Sequence, residues 1–282
     1  MSDRTWAPSG IRDADPSLPY ATHDGIARFL STRETDGDRP RIYSDWIGKR
    51  EKAGGAVIGL GCADSAVEAA VCGAMNPPPT RYIGVDVAED AGTMSQPRFA
   101  DCLTKFTFVH GDWRNSAIAE EVAKAADRRH RVTVMAGRTF GNAPTPAMLA
   151  DLRLIAASGS IYVDFFAALD PQAELQFAAR MQTVAENSSG FLLAPLREAG
   201  AIAADASTTL QLVDEGHALR ADFLVPGEGG EPRAYLWRAF AIRMFRIEPL
   251  GDLLAAHNVT MRDRLDMPEQ VLPMTMLQLQ FR

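Results

Sequence analysis

Hydrophobic positions change their pattern twice along the chain. Residues 1–50 are polar and rich in Pro, Asp and Arg, with one helical segment at 24–32. From residue 56 onward, short runs of apolar and β-branched residues alternate with segments whose apolar residues recur at helical spacing. This alternation is typical of βα units that build a parallel sheet. The runs predict strands at 56–60, 82–87, 106–110, 132–136 and 160–166.

Two predicted helices have readable ends. Ser65 followed by Glu68 predicts a capping box at the start of the first helix, which stops at Asn76 and three prolines. Thr145 and Pro146 open a later helix, which Gly159 closes before the fifth strand. Both helices therefore connect successive strands.

The alternation stops near residue 170. A helical stretch at 173–199 is followed by strand patterns at 209–213, 218–225 and 235–247, a helix at 250–257 and a last strand at 274–281. The glycine-rich segment 227–232 is predicted to be a hairpin loop. We therefore divide the chain into an N-terminal arm or cap, a parallel α/β core and a C-terminal part, at residues 1–50, 51–170 and 171–282.

Composition narrows the function classes. The chain has 46% hydrophobic and 23% charged residues, which is the balance of a soluble globular protein. A net charge of −7 gives no attraction for a phosphate backbone, so we expect no nucleic-acid partner. No apolar run approaches the roughly 20 residues of a membrane span, and the segment MSDRTWAPSG lacks the apolar region of an export signal, so we expect neither membrane insertion nor export. Cys62, Cys72 and Cys102 lack metal-site spacing, so we expect no metal and reduced thiols in a cytoplasmic protein.

A glycine pair lies between the first predicted strand and the first helix. Gly59 and Gly61 would let a ligand approach the backbone at a helix N-terminus. A dinucleotide site would have a small residue where this chain has Asp64. A carboxylate there would repel a pyrophosphate and suit the cationic amino group of a methionine moiety. The alternative is an ordinary tight turn.

Acidic residues end the next two strands. Asp86 could accept hydrogen bonds from ribose hydroxyls, while Asp112 could accept from an adenine amino group and Trp113 could stack on the adenine. A helix cap and a core tryptophan are the alternatives. One adenosyl ligand across the carboxyl ends of the strands explains all three, which predicts S-adenosyl-L-methionine as cofactor. The predicted cofactor-binding residues are Gly59, Gly61, Cys62, Asp64, Asp86, Asp112, Trp113 and Gly137.

The segments VIGLGCADS, YIGVDV and GDW follow one another along the chain. In this order they resemble the motif series of class I S-adenosylmethionine-dependent methyltransferases. The resemblance implies a Rossmann-like α/β fold with a mostly parallel central sheet, an N-terminal arm and C-terminal antiparallel strands. It also implies methyl transfer as the activity.

A narrower resemblance starts at the fourth strand. The segment VTVMAGRTFGNAPTPAMLADLR is similar to the histidine-specific methyltransferase family that makes the betaine precursor of ergothioneine. Gly137, Thr139, Gly141 and Asn142 match that family, whereas Arg138 replaces a serine. The later stretch FLLAPLREAGA also resembles the family. The resemblance implies that Asn142 contacts the amino group of the substrate.

The chain departs from this family at the acceptor. The resemblance runs over much of residues 53–260, but Arg243 and Phe245 stand where the family has the two residues that hold the imidazole. Its tyrosine-rich N-terminal segment is represented here only by Tyr43. We therefore expect an acceptor other than histidine, a different amino acid or a related amine. Arg243 is predicted to face a carboxylate or an aromatic ring of it, or else to lie on a solvated strand face.

Methyl transfer requires few dedicated groups, because alignment of the nucleophile and help with a leaving proton carry most of the catalysis. Asn142 is the candidate that orients the nucleophile, although it could simply cap the following helix. Asp164 is the candidate base, and Tyr43 could reach the same cleft. These three form the predicted catalytic set. The predicted substrate-binding residues are Asn142, Thr139, Phe165 and Arg243.

Other functions remain open at this point. One is O-methylation of a small acid or phenol, and another is a non-catalytic scaffold that binds an adenosyl ligand. A third is an NAD-dependent oxidoreductase, which Asp64 opposes and which no Tyr-x-x-x-Lys pair supports. The partner predicted in the leading interpretation is a small-molecule acceptor, and a homodimer remains open.

Overall fold

The computed structural model of the chain describes residues 10–15, 38–51, 55–100, 104–126, 130–137, 139–142, 145–187, 189–228, 236–267 and 272–282. The helix predicted at 24–32 lies outside the described residues, as do Cys102, Arg138 and part of the predicted loop at 227–232.

The first half of the chain contains the parallel core. Its elements, in chain order, are β1 (Ile11–Asp13), α1 (Arg39–Gly48), β2 (Ala56–Leu60), α2 (Ala66–Ala74), β3 (Arg81–Asp86), α3 (Asp90–Ser95), a 3₁₀ turn (Gln96–Phe99), β4 (Lys105–His110), α4 (Ser116–Ala125), β5 (Arg131–Met135), a 3₁₀ turn (Thr139–Gly141), α5 (Thr145–Ala156) and β6 (Ser160–Ala167).

The second half adds antiparallel strands. Its elements are α6 (Pro171–Asn187), α7 (Ser189–Glu198), β7 (Thr209–Asp214), β8 (Ala218–Pro226), β9 (Leu236–Phe245), α8 (Ile247–Ala256), β10 (Val259–Met267) and β11 (Met274–Phe281).

Strands β2 to β6 form a parallel sheet in the spatial order β4-β3-β2-β5-β6. Alternate residues of each strand enter two different cores, as the two-residue period of a strand requires. Ile58 packs with side chains of α4, α5 and α8 on one face, whereas Val57 packs with α1 and α2 on the other. The five strands predicted from the sequence are confirmed to within one residue at each end.

The C-terminal strands attach to both edges of β6. Strand β11 runs antiparallel to β6 from Met274 opposite Phe166 to Leu279 opposite Ile161. Strand β9 pairs in parallel with Phe166 and Ala167. Because β11 occupies one edge of β6, β9 lies on the same edge as β5 and begins to pair where β5 has ended. This arrangement sets β9 and its neighbour β8 beside the carboxyl ends of the parallel strands.

Three features differ from the sequence expectations. The capping box at Ser65 is wrong: Ser65 has a left-handed backbone and makes no cap bond with its side chain. Strand β10 was not predicted, because four of the nine residues in its pattern VTMRDRLDM are charged and most of its positions are exposed or half-buried. Strand β1 joins the same sheet by pairing with β9, so part of the predicted arm is a strand.

Candidate cofactor site

Three predicted site segments meet at the carboxyl ends of β2, β3 and β5. The N–H of Gly61 donates to the carbonyl of Val85 at 2.9 Å, next to Asp86. A Cβ atom added to Gly61 would lie 3.1 Å from Oγ1 of Thr139. The glycine loop (residues 61–65), the end of β3 and the turn after β5 therefore contact one another.

The glycine loop contains three residues with left-handed backbone. Their φ angles are 63° at Gly61, 48° at Ala63 and 54° at Ser65. A left-handed backbone costs residues other than glycine about 1–2 kcal/mol each. Such strain persists only where the surroundings over-determine it, and it clusters at ligand sites and active sites.

Asp86, at the end of β3, forms a hydrogen bond with the backbone of this loop. Its Oδ2 accepts the N–H of Ala63 at 2.8 Å, and its Oδ1 accepts the N–H of Ala88 at 3.0 Å. Burial raises the pKa of Asp86, and the two backbone N–H groups only partly oppose that rise. Each carboxylate oxygen has a further lone pair, so Asp86 can still accept from a pair of ligand hydroxyls.

Asp64 already has a cationic partner within the chain. Its carboxylate forms an ion pair with Arg98, whose Nε also donates to the Asp64 carbonyl at 2.7 Å. Arg98 lies in the turn after α3, a location that the sequence pattern did not indicate. Contact between Asp64 and the amino group of a methionine moiety stays a prediction, and such a group would share Asp64 with Arg98.

Asp112, in the segment after β4, also has a cationic partner within the chain. Asp112 accepts from Nε and Nη2 of Arg114 at 2.9 and 2.6 Å, and Arg114 reaches Asp15 at 3.4 Å. Trp113 is 6% exposed and belongs to the core beside α4 and α5. Most of the Trp113 side chain therefore packs in the core, which was the alternative to a ligand contact. Stacking of Trp113 on adenine stays a prediction. Arg114, two residues after Asp112, is a partner that sequence analysis missed.

Gly59 and Cys62 face the interior of the protein. A Cβ atom at Gly59 would lie 2.6 Å from the hydroxyl of Tyr82, and one at Gly84 would lie 3.1 Å from Sγ of Cys62. Cys62 is 2% exposed, and burial raises the pKa of its thiol. The first glycine of the motif therefore makes room for a tyrosine of this chain.

The predicted catalytic pair is brought together. The hydroxyl of Tyr43 donates to Oδ2 of Asp164, which also accepts the N–H of Gly137 at 3.2 Å. Arg39, like Tyr43 on α1, lies 3.9 Å from the same oxygen. Both Tyr43 and Asp164 are fully buried. In this structure the carboxylate thus holds α1 against the turn after β5.

The turn after β5 carries the predicted acceptor residues. Oγ1 of Thr139 donates to the carbonyl of Ala136 at 3.3 Å, and the N–H of Asn142 donates to the carbonyl of Thr139 at 3.1 Å. Asn142 is half-buried. A Cβ at Gly141 would lie 3.3 Å from the carbonyl oxygen of Arg243. The turn is therefore enclosed between the glycine loop and β9.

Arg243 is a buried member of an ion pair. It is 4% exposed, its Nε lies 2.8 Å from Glu215, and its Nη1 donates to the carbonyl of Gly141 at 3.4 Å. The alternative of a solvated strand face is wrong. Although burial opposes it, Arg243 and Arg220 hold the pKa of Glu215 below its usual range. Arg243 thereby ties β9 to the turn that carries Asn142.

Phe165 occupies the opposite face of β6 from Asp164. It is fully buried and packs against Phe140 and Phe245 at ring distances of 5.7 and 5.0 Å. Strand alternation allows only one of the two neighbours to face the site, and the structure selects Asp164. Phe165 has no exposed surface that a substrate could contact. Its contact with a substrate therefore stays a prediction that this structure does not support.

The described residues contain neither a membrane-spanning helix nor a metal-binding cluster. Among the helices in the ranges given above, none combines the length and the apolar composition that a membrane span requires. Within those same ranges, no group of three or more His, Cys, Asp or Glu side chains could hold a metal ion.

The overall fold is shared with solved methyltransferases. One is 1,6-didemethyltoxoflavin-N1-methyltransferase of Burkholderia thailandensis, solved with 1,6-didemethyltoxoflavin and S-adenosylhomocysteine; it is 13% identical, with a TM-score of 0.52 over 98% of this chain and 94% of that chain. Another is a SAM-dependent methyltransferase of Anabaena variabilis, 11% identical, with a TM-score of 0.52 over 97% and 99% of the two chains. Together with the strand order, these two structures show that the chain has a Rossmann-like fold with C-terminal antiparallel strands. No protein-family model and no curated protein sequence matches the chain.

Proposed function

We propose that this chain binds S-adenosyl-L-methionine at the carboxyl ends of its parallel strands and transfers the methyl group to a small molecule. The observation that carries the proposal is the pairing of a strained glycine loop with a buried carboxylate, because Asp86 holds Ala63 and keeps lone pairs for ribose hydroxyls. The fold shared with two solved methyltransferases supports it.

The bound sulfonium would supply an activated methyl group, so this chain needs chiefly to orient the nucleophile and to exclude water. Asn142, on the enclosed turn after β5, is the residue we assign to orienting the nucleophile. Asp164 holds the N–H of Gly137 and thereby positions the start of that turn. For Asp164 to receive a proton from the acceptor on Oδ2, the hydroxyl of Tyr43 would have to move away from that atom.

For the acceptor we propose a nitrogen of an amino acid or related amine, and not histidine. The support is the resemblance at Gly137, Thr139, Gly141 and Asn142 to the histidine-specific family. Arg243, where that family holds the imidazole, has a guanidinium group that cannot accept a hydrogen bond from an imidazole N–H, and its own donors are engaged by Glu215. We also propose a cytoplasmic location, consistent with Cys62 and Cys72 being buried and reduced.

Calorimetric titration with S-adenosylmethionine, S-adenosylhomocysteine and NAD tests the cofactor. We expect both adenosyl ligands to bind and Asp86→Asn to weaken each at least about tenfold, because an amide cannot accept both backbone N–H groups. Glu89→Gln, an exposed acid three residues along, is the control and should bind as the wild type does. Binding of NAD alone would reject the methyltransferase proposal.

A second assay tests the transfer. The protein is incubated with S-adenosylmethionine and a panel of amines, acids and phenols, and formation of S-adenosylhomocysteine is measured. Turnover with amines, lowered at least tenfold in Asn142→Ala, supports the proposed acceptor. Turnover only with acids or phenols indicates O-methylation, and binding without turnover indicates a scaffold.

A further inference from the structure

A chain of three hydroxyl groups lies directly beneath the glycine loop. Oγ of Ser65 is 2.7 Å from the hydroxyl of Tyr82 and 2.7 Å from Oγ of Ser95. Ser95 in turn donates to the carbonyl of Ala63 at 3.1 Å. All three residues are fully buried, so water does not compete for these bonds.

The donor-to-acceptor direction of these hydrogen bonds follows from the number of protons that the three hydroxyl groups carry. Each hydroxyl has one proton to donate. Ser95 uses its proton on the Ala63 carbonyl, so Ser65 must donate to Ser95, and Tyr82 must donate to Ser65. A chain of hydrogen bonds in one direction polarises each member and strengthens the next bond. Tyr82 is therefore the first donor of a chain that ends on the backbone of the strained loop.

Ala63 is held at both of its backbone polar groups. Asp86 accepts its N–H at 2.8 Å, and Ser95 donates to its carbonyl. The left-handed backbone of Ala63 and Ser65 is unfavourable without such contacts. The loop thus keeps its shape through partners on β3 and at the end of α3.

Two glycines of the sheet leave space for the hydroxyl of Tyr82. Gly59 and Gly84 lie opposite each other on β2 and β3, and a Cβ on them would approach the Tyr82 hydroxyl to 2.6 and 3.2 Å. The ring stacks on Phe99 at 4.3 Å. Burial raises the pKa of Tyr82 well above its usual value, so the hydroxyl keeps its proton.

We propose that Tyr82, Ser65 and Ser95 are positioning residues that hold residues 61–65 in the shape that binds the adenosyl cofactor. This inference rests on the proposed function. The three hydroxyls lie on the buried side of the glycine loop, so they act on the cofactor through the backbone of the loop. Their contribution should therefore appear in cofactor affinity and not only in fold stability.

The test measures the dissociation constant of S-adenosylhomocysteine by calorimetry for Tyr82→Phe. We expect it to rise about tenfold, because the loop loses the first donor of its chain. Tyr162→Phe is the matched control: Tyr162 is equally buried, and its hydroxyl donates to Glu51 at 2.6 Å near the amino end of the sheet. The control should lose thermal stability and keep its affinity.

A double-variant cycle shows whether the hydroxyls act as a unit. We expect Ser95→Ala to weaken binding about tenfold, and Tyr82→Phe with Ser95→Ala to weaken it little further, since both break one chain. Unchanged affinity in Tyr82→Phe, with a melting temperature lowered as in Tyr162→Phe, would overturn the inference. Absence of binding by the wild type would instead reject the proposed function.

Discussion

Ala63 illustrates how a single residue can be held in an unfavourable conformation. Its φ of 48° lies in the region that glycine tolerates and that alanine adopts at a cost. The side chain is 2% exposed, and its backbone is bonded to Asp86 and Ser95. The loop therefore stores strain at the position where a ligand is expected.

Replacing Ala63 by glycine should release part of this strain. We expect Ala63→Gly to raise the free energy of unfolding by up to about 1 kcal/mol, since the left-handed cost of about 1–2 kcal/mol is partly offset by the greater freedom of glycine in the unfolded chain. Ala70→Gly, in the middle of α2, should lower it by about 1 kcal/mol. Urea unfolding measures both. Equal destabilisation of the two variants would show that Ala63 is not strained.

At the scale of elements, β9 connects the C-terminal strands to the candidate site. Arg243 on β9 binds Glu215 in the turn between β7 and β8, and it contacts the carbonyl of Gly141. Arg220 and His217 also face Glu215. The position of the turn that bears Asn142 thus depends on an ion pair between distant parts of the chain.

This ion pair makes stability depend on pH in the acidic range. The pKa of Glu215 is lower in the folded protein than its usual value of 4.5, so its stabilisation is present above that value and is lost as the pH falls through the folded pKa.

We expect Glu215→Gln to lower the free energy of unfolding by roughly 3 kcal/mol at pH 7, because Arg243 stays buried without its carboxylate. The difference from the wild type should narrow as the pH falls below about 4.5. Urea unfolding from pH 7 to pH 3 checks this. Glu198→Gln, an exposed acid at the end of α7, is the control. A difference that is constant across this range would contradict the assignment.

At the scale of the whole molecule, the eleven strands that the described residues form belong to one sheet, and they include β1 and β11 from opposite ends of the chain. Strand β1 pairs with β9, and β11 pairs with β6, the last strand of the parallel series. The division into residues 1–50, 51–170 and 171–282 stays a prediction about organisation. The shared sheet nevertheless ties the C-terminal part to the core.

Leu277 tests how far the C-terminal hairpin supports the core. It lies opposite Val163, is fully buried and belongs to the same cluster as Ile58. We expect Leu277→Ala to lower the free energy of unfolding by about 3 kcal/mol. Leu212→Ala, on strand β7 and 42% exposed, should change it by less than about 0.5 kcal/mol. A small effect at Leu277 would indicate that the hairpin is dispensable.

Local patterns predicted the elements well and the contacts of site residues less well. Strand limits follow from runs such as AVIGL, whose burial is visible in the apolar sequence itself. The partners of Asp64, Asp112 and Arg243 did not follow, because Arg98, Arg114 and Glu215 reach them through loops and turns. A charge pattern records that a carboxylate is present and not which cation the fold brings to it.

The sequence by itself determined the parallel α/β core, the glycine loop after β2 and the acidic residue that ends β3, since periodicity and strand order place these together. Only the tertiary structure decided that Gly59 accommodates Tyr82, that Tyr43 binds Asp164 and that Arg243 binds Glu215. The physical reason is that buried polar groups must find partners, and those partners are supplied by segments far apart in the chain.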